Sequence, residues 1–133
     1  MYNWALEVPV NPKCYKLLVV LLSFMPEHLV ARCVGSPLFD CALYDTSKRV
    51  SFPEWFGEDL DFNPLYGVMP VVYHLMLFAA RDMLVTCSGP NMSWKVTISR
   101  EEISQCIEEL GLAEADVRVW ADCITQCILL AAE

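Results

Sequence analysis

The residues of this chain with the most chemistry to offer are seven cysteines and two histidines, which makes zinc the first ligand to test. Cys123 and Cys127 stand four residues apart on what reads as one helix face. A structural zinc ion takes four ligands, usually from two close pairs. Only one such pair exists, and Cys106 could join it from a neighbouring helix. His28, Cys33 and Cys41 form a looser group without knuckle spacing. The pattern assigns no metal ligand and no cofactor.

A cysteine nucleophile needs a histidine base and an orienting group close in space. His74 lies inside Val72-Tyr73-His74-Leu75-Met76 and reads as a hydrogen-bonded core histidine, whereas His28 follows Pro26-Glu27 at a helix start and reads as solvated. There is no Gly-x-Ser-x-Gly elbow, phosphate-binding glycine loop or His-Glu-x-x-His pair. Glu58, Asp59 and Asp61 supply clustered carboxylates, but a hydrolase would hold one of them in an apolar pocket to raise its pKa, and acids in one loop read as a solvated face. No catalytic residue is assigned.

Interaction chemistry is better represented. The segment from Phe52 to Phe62 interleaves large apolar side chains with acids, and Trp55 and Phe56 ringed by Glu54, Glu58, Asp59 and Asp61 have the makeup of a protein-binding hot spot. The rival reading turns the aromatics into the core and leaves the acids in water. Asn63-Pro64-Leu65-Tyr66 matches a short peptide-recognition pattern and is read as a turn. A second acidic surface is expected from Glu108, Glu109, Glu114 and Asp116, with Glu101, Glu102 and Asp122, because the apolar faces of their two helices are needed for the core.

Charge is distributed in keeping with those surfaces. The formal net charge is −8, of which residues 50–80 carry −4 and residues 101–133 carry −7. Such a surface repels phosphate, so direct nucleic-acid binding is not expected, while a basic protein surface would be attracted. The C-terminal pair has the rhythm of a helix-turn-helix, yet its second helix would bring Glu114, Asp116 and Asp122 against a single Arg118.

These groups must be positioned by a chain of 133 residues, a length suited to a single domain over 1–133. Hydrophobic residues make up 56% of it, a surplus to be buried in the monomer, in an oligomer or against a partner. The stretch from Leu17 to Phe24 is too short to span a bilayer, and that from Phe62 to Ala80 is broken by Pro64, Gly67 and Pro70. It reads as a loop followed by a fully buried helix, and no membrane contact is expected. The first residues lack the features of a secretion signal. With an odd number of cysteines at apolar positions, reduced thiols and a cytoplasmic location are expected, and the Asn91-Met92-Ser93 sequon is an accident of composition.

The pattern predicts a mainly α fold with a small β component, an α+β domain. Trp4 to Val10 alternates as an edge strand, and Asn11-Pro12 opens a buried helix to about residue 25. Residues 27–34 fit helix or strand. Phe39–Tyr44 and Val50–Phe52 flank the polar turn Asp45 to Arg49 as a small hairpin. Ser51 and Glu54 form a capping box for a short helix through Trp55, Phe56 and Leu60. Pro70 opens a central helix to about Thr86, and Trp94, Val96 and Ile98 lie on one side of a half-exposed strand. Ser99 caps a helix that Gly111 ends, and a last helix completes a C-terminal helical hairpin.

The leading expectation from these observations is a small acidic, non-enzymatic protein that occupies a basic surface on another protein, which could itself bind nucleic acid. Phage and mobile-element inhibitors of the anti-CRISPR or immunity-protein type resemble it in size and charge alone. A structural subunit of a homo-oligomer or larger assembly is the alternative, followed by an enzyme using a cysteine or a carboxylate.

Overall fold

A computed structural model describes residues 10–57 and 60–132. The chain folds as a mainly α, α+β domain of seven helices and one two-stranded antiparallel sheet among the described residues. The expected strand from Trp4 lies almost wholly outside them.

Helix α1, Pro12–Ser23, is the axis of the fold. Asn11 accepts the backbone N–H of Lys13 at 3.0 Å and Pro12 occupies the first turn, so the helix starts where a cap and a preset φ favour it. All six residues from Leu17 to Leu22 are at most 1% exposed, because α1 packs against α2 (Glu27–Cys33), α4 (Glu54–Gly57), α5 (Pro70–Arg81), α6 (Arg100–Glu109), α7 (Glu114–Ala131) and strand β2 (Ser93–Val96). Each large side chain so buried contributes about 1.5–3 kcal/mol relative to water. The central place belongs to α1 rather than α5, one side of which meets solvent at Tyr73.

The hairpin expected around Asp45 does not form. Residues Pro37–Arg49 are one helix, α3, with Pro37 in its first turn, Asp40 near its positive end and Lys48 and Arg49 at its negative end. Phe39, Ala42, Leu43 and Thr46 recur at helical spacing and are buried, most of the packing being against α7. The turn-forming types Asp45, Thr46 and Ser47 are overridden by that apolar stripe. Thr46 donates its hydroxyl to Cys127 Sγ of α7 at 3.8 Å.

Helix α4 is a single turn opened by Pro53, whose carbonyl accepts from Phe56 and Gly57; Leu60 lies beyond it. Helix α5 stops at Arg81, well before Thr86, through a Schellman closure. Met83 N–H reaches the Ala80 carbonyl and Leu84 N–H that of Ala79, with Met83 at φ 64°. The chain then enters β1, Val85–Ser88, which pairs with β2. This β1–β2 hairpin supplies the β component.

The C-terminal helices form as their capping residues require. Ser99 accepts the Glu102 N–H at 3.2 Å, and Gly111 at φ 71° closes α6 with the same pair of bonds that closes α5. Tyr15 of α1 donates its hydroxyl to Asp82, tying the axis to the end of α5.

Candidate protein-binding surface

The aromatic and acidic segment divides between core and solvent. Phe56 is fully buried, so it cannot serve as the contact residue expected of it; its ring meets Phe52 edge-on at 5.1 Å. Phe52 in turn meets Trp120 of α7 at 5.5 Å. Trp55 is half-buried, with Lys13 Nζ 5.8 Å from its ring and its backbone carbonyl accepting from Cys14 Sγ. These rings are committed to the protein by the short helix α4, which turns them toward α1. Glu54 and Asp61 are exposed, and Glu58 and Asp59 lie outside the described residues.

The exposed apolar side chains are a few residues further on. Leu65 and Tyr66 are 85% and 72% exposed at the tip of a turn closed from both sides. Asn63 N–H donates to Val68 O at 2.9 Å, Gly67 N–H to Asn63 O at 2.8 Å, and Leu65 N–H to Asn63 Oδ1 at 3.0 Å. The asparagine side chain fixes the turn and the proline presets its backbone. The recognition-like tetrapeptide is therefore a preformed turn that presents both apolar residues to solvent. Its sequence pattern was the signal that could have located them.

The second surface lies on α6 and α7. Glu101, Glu102, Glu108, Glu109, Glu114, Asp116 and Asp122 are all exposed, while Ile103, Ile107, Val117, Trp120 and Ile124 point inward. The two arginines on these helices are drawn to one ring: Arg100 and Arg118 stand 5.0 and 4.6 Å from Phe24 at the end of α1. Arg118 also binds Glu114 at 3.1 Å. Among the described residues no other of these seven acids is in an ion pair.

Their positions on the helices differ in cost. Glu101 and Glu102 begin α6, and Glu114 and Asp116 begin α7, where the helix macrodipole favours negative charge. Glu108 and Glu109 end α6, with no basic residue in its last turn, so each opposes the dipole by about 0.3–1 kcal/mol. Cys106, one turn earlier, has its thiol pKa raised first by burial and then by the Glu109 carboxylate.

The metal-like and nucleophile-like groups are dispersed. No disulfide joins the cysteines, and among the described residues no three His, Cys, Asp or Glu side chains converge on one point. Burial raises the thiol pKa of Cys33, Cys41 and Cys127. His28 is exposed on α2, and His74 is half-buried beside Tyr73. No helix among the described residues is long and apolar enough to cross a membrane. Comparison with protein-family models, curated proteins and solved structures gives no match.

Proposed function

We propose that this chain is a non-enzymatic binding protein that places the acidic surface of α6 and α7 on a basic patch of another protein, blocking or adapting it. The observation that carries the reading is the pair Glu108 and Glu109, exposed, without an ion-pair partner among the described residues and set against the helix dipole. Stability alone would not select carboxylates there. The neighbouring Glu114 and Asp116 follow directly after the Gly111 turn and extend the patch along the chain. Closely spaced carboxylates on a rigid support resemble a phosphate backbone, so a nucleic-acid-binding enzyme in the cytoplasm is the partner class we favour. An inhibitor of the anti-CRISPR or immunity type would act in this way. Leu65 and Tyr66 supply a second contact with apolar anchors.

The test uses immobilised protein and a variant with Glu108, Glu109, Glu114 and Asp116 changed to glutamine. Wild type is expected to retain a basic partner that is released by duplex DNA and by raising salt from about 50 to about 200 mM. The variant should retain none of it. Equal retention by both proteins, or retention indifferent to salt, overturns the proposal.

A second reading, self-association, is favoured by Val119, Leu129 and Leu130 on α7, which are 59%, 45% and 58% exposed. Light scattering at moderate salt separates the two: a free inhibitor is a monomer or small oligomer, a structural subunit an obligate assembly.

A further inference from the structure

Helix α2 and the turn that joins β1 to β2 face each other across an open groove. The groove has two halves, of about 430 and 380 Å³, which share Ala31, Arg32 and Asn91 and so form one continuous surface. The first half is polar. His28 and Arg32, four residues apart on one face of α2, line it together with Asn91 and Ser93. The second half is largely apolar, with Tyr73 of α5, Pro90 and Met92 on its walls and Trp94 among its lining residues. Tyr73 and Met92 are 52% and 58% exposed.

No carboxylate lines either half, although the chain has a formal net charge of −8. Glu27, next to His28 in the chain, is held by Lys95 at 3.6 Å. Arg32 is exposed, and among the described residues it enters none of the ion pairs or cation–π contacts. Its planar fork of donors is thus open to a ligand. The opposite rim is strained. Met92 ends the loop between the paired residues Ser88 and Ser93 at φ 51°, a left-handed backbone that glycine or asparagine would adopt at less cost. An exposed side chain held against strain is a feature of binding sites.

We propose that this groove binds a monocarboxylate carried on an apolar stem. The Arg32 guanidinium takes both carboxylate oxygens, His28, Asn91 and Ser93 supply further donors, and the stem lies along Tyr73 and Met92. The lining selects this class. A guanidinium fork matches two coplanar carboxylate oxygens. A phosphate monoester also fits the fork, but its second negative charge finds one permanent cation in the groove and is repelled by the net charge of the chain. The apolar half disfavours anions that lack a stem. The site is formed by α2, α5 and the β1–β2 hairpin, so it does not rest on the acidic surface of α6 and α7.

The test follows the Trp94 indole N–H and the Asn91 side-chain amide by NMR in the full chain. The probes are 4-phenylbutyrate, its neutral analogue 4-phenylbutanamide, inorganic phosphate, and the peptide N-acetyl-Ala-Ala-Phe with a free terminal carboxylate. 4-Phenylbutyrate should give saturable shifts, and the amide and phosphate should bind at least ~10-fold more weakly, since hydrogen bonds to a charged group or the apolar contact are lost. A matching shift with the peptide assigns the site to the chain terminus of a partner; its absence assigns the site to a free acid. Arg32→Gln alters an exposed side chain and should weaken 4-phenylbutyrate at least ~10-fold with an unchanged circular dichroism spectrum. Tyr73→Ala should weaken it about threefold through lost apolar contact. No saturable shift with 4-phenylbutyrate, or equal binding of the amide or of phosphate, overturns the proposal. So does affinity unchanged in Arg32→Gln or in Tyr73→Ala.

Discussion

The Met69 backbone N–H donates to Oδ2 of Asp40 at 2.9 Å, and this bond fastens the first turn of α3 to the residue that caps α5. It joins two helices through a charged group that is almost wholly buried. Burial is the larger influence on that carboxyl and raises its pKa above the ordinary value, with the Met69 N–H acting the other way.

A pH dependence of stability follows. In the unfolded chain Asp40 loses its proton near pH ~4, while the folded chain retains it to higher pH. Between the two values the folded state binds more protons, so the Asp40 contribution to stability falls as pH rises and then levels off. Urea midpoints measured for wild type and Asp40→Asn should therefore diverge in favour of the variant above pH ~4. A difference that is constant with pH, or of opposite slope, would show that Asp40 is ionised without penalty.

Met83 closes α5 in the left-handed conformation, at φ 64°, with a side chain 79% exposed. At the equivalent place after α6 stands Gly111, at φ 71°. A residue with a Cβ is strained there, and methionine gains little from packing. Met83→Gly is expected to stabilise the protein by about 0.5–1 kcal/mol after the greater freedom of glycine in the unfolded chain is allowed for. A lower melting temperature would mean that Met83 makes contacts in solution that outweigh its strain.

The aromatic residues near the acidic loop separate into anchors of the fold and groups presented to solvent. Phe56→Ala should cost about 3–5 kcal/mol, because it empties a fully buried site beside Phe52. Leu65→Ala and Tyr66→Ala should each change stability by no more than about 0.5 kcal/mol. Chemical denaturation of the three variants checks the division, and a marginal effect for Phe56→Ala would return that ring to the contact surface.

Opposite effects are expected from glutamine at the two ends of the C-terminal connection. Glu108→Gln and Glu109→Gln should each stabilise the protein by about 0.3–1 kcal/mol at low salt, since both charges oppose the α6 dipole. Glu114→Gln should destabilise it by a similar amount, through the α7 dipole and the loss of its 3.1 Å pair with Arg118. Thermal melts at low and high salt should show both effects shrinking as salt screens them. Equal signs at the two ends would remove the argument that Glu108 and Glu109 are retained for binding.

Residue types alone determined those features that depend on a few neighbours along the chain. Asn11-Pro12 starts α1, Ser99 starts α6, Gly111 ends it, and the spacing of Ile103, Ile107, Val117, Trp120 and Ile124 fixes which sides of the last helices are acidic. These rest on local hydrogen bonds and on helical period, which adjacent residues settle. Tertiary structure decided the rest, because burial depends on what arrives from elsewhere. The segment around Asp45 offered turn-forming residues and a helical apolar stripe at once, and α7 resolved the conflict by covering Phe39, Leu43 and Thr46. The sequence pointed to Phe56 as a contact and read Leu65 as part of a turn, whereas packing of α4 on α1 buries Phe56 and the Asn63 turn holds Leu65 in solvent. Asp40 resembled any surface acid. Only the approach of Met69, Tyr73 and Trp94 from two other elements made it a buried carboxyl, since a charge is isolated from water by distant parts of the chain and not by its neighbours.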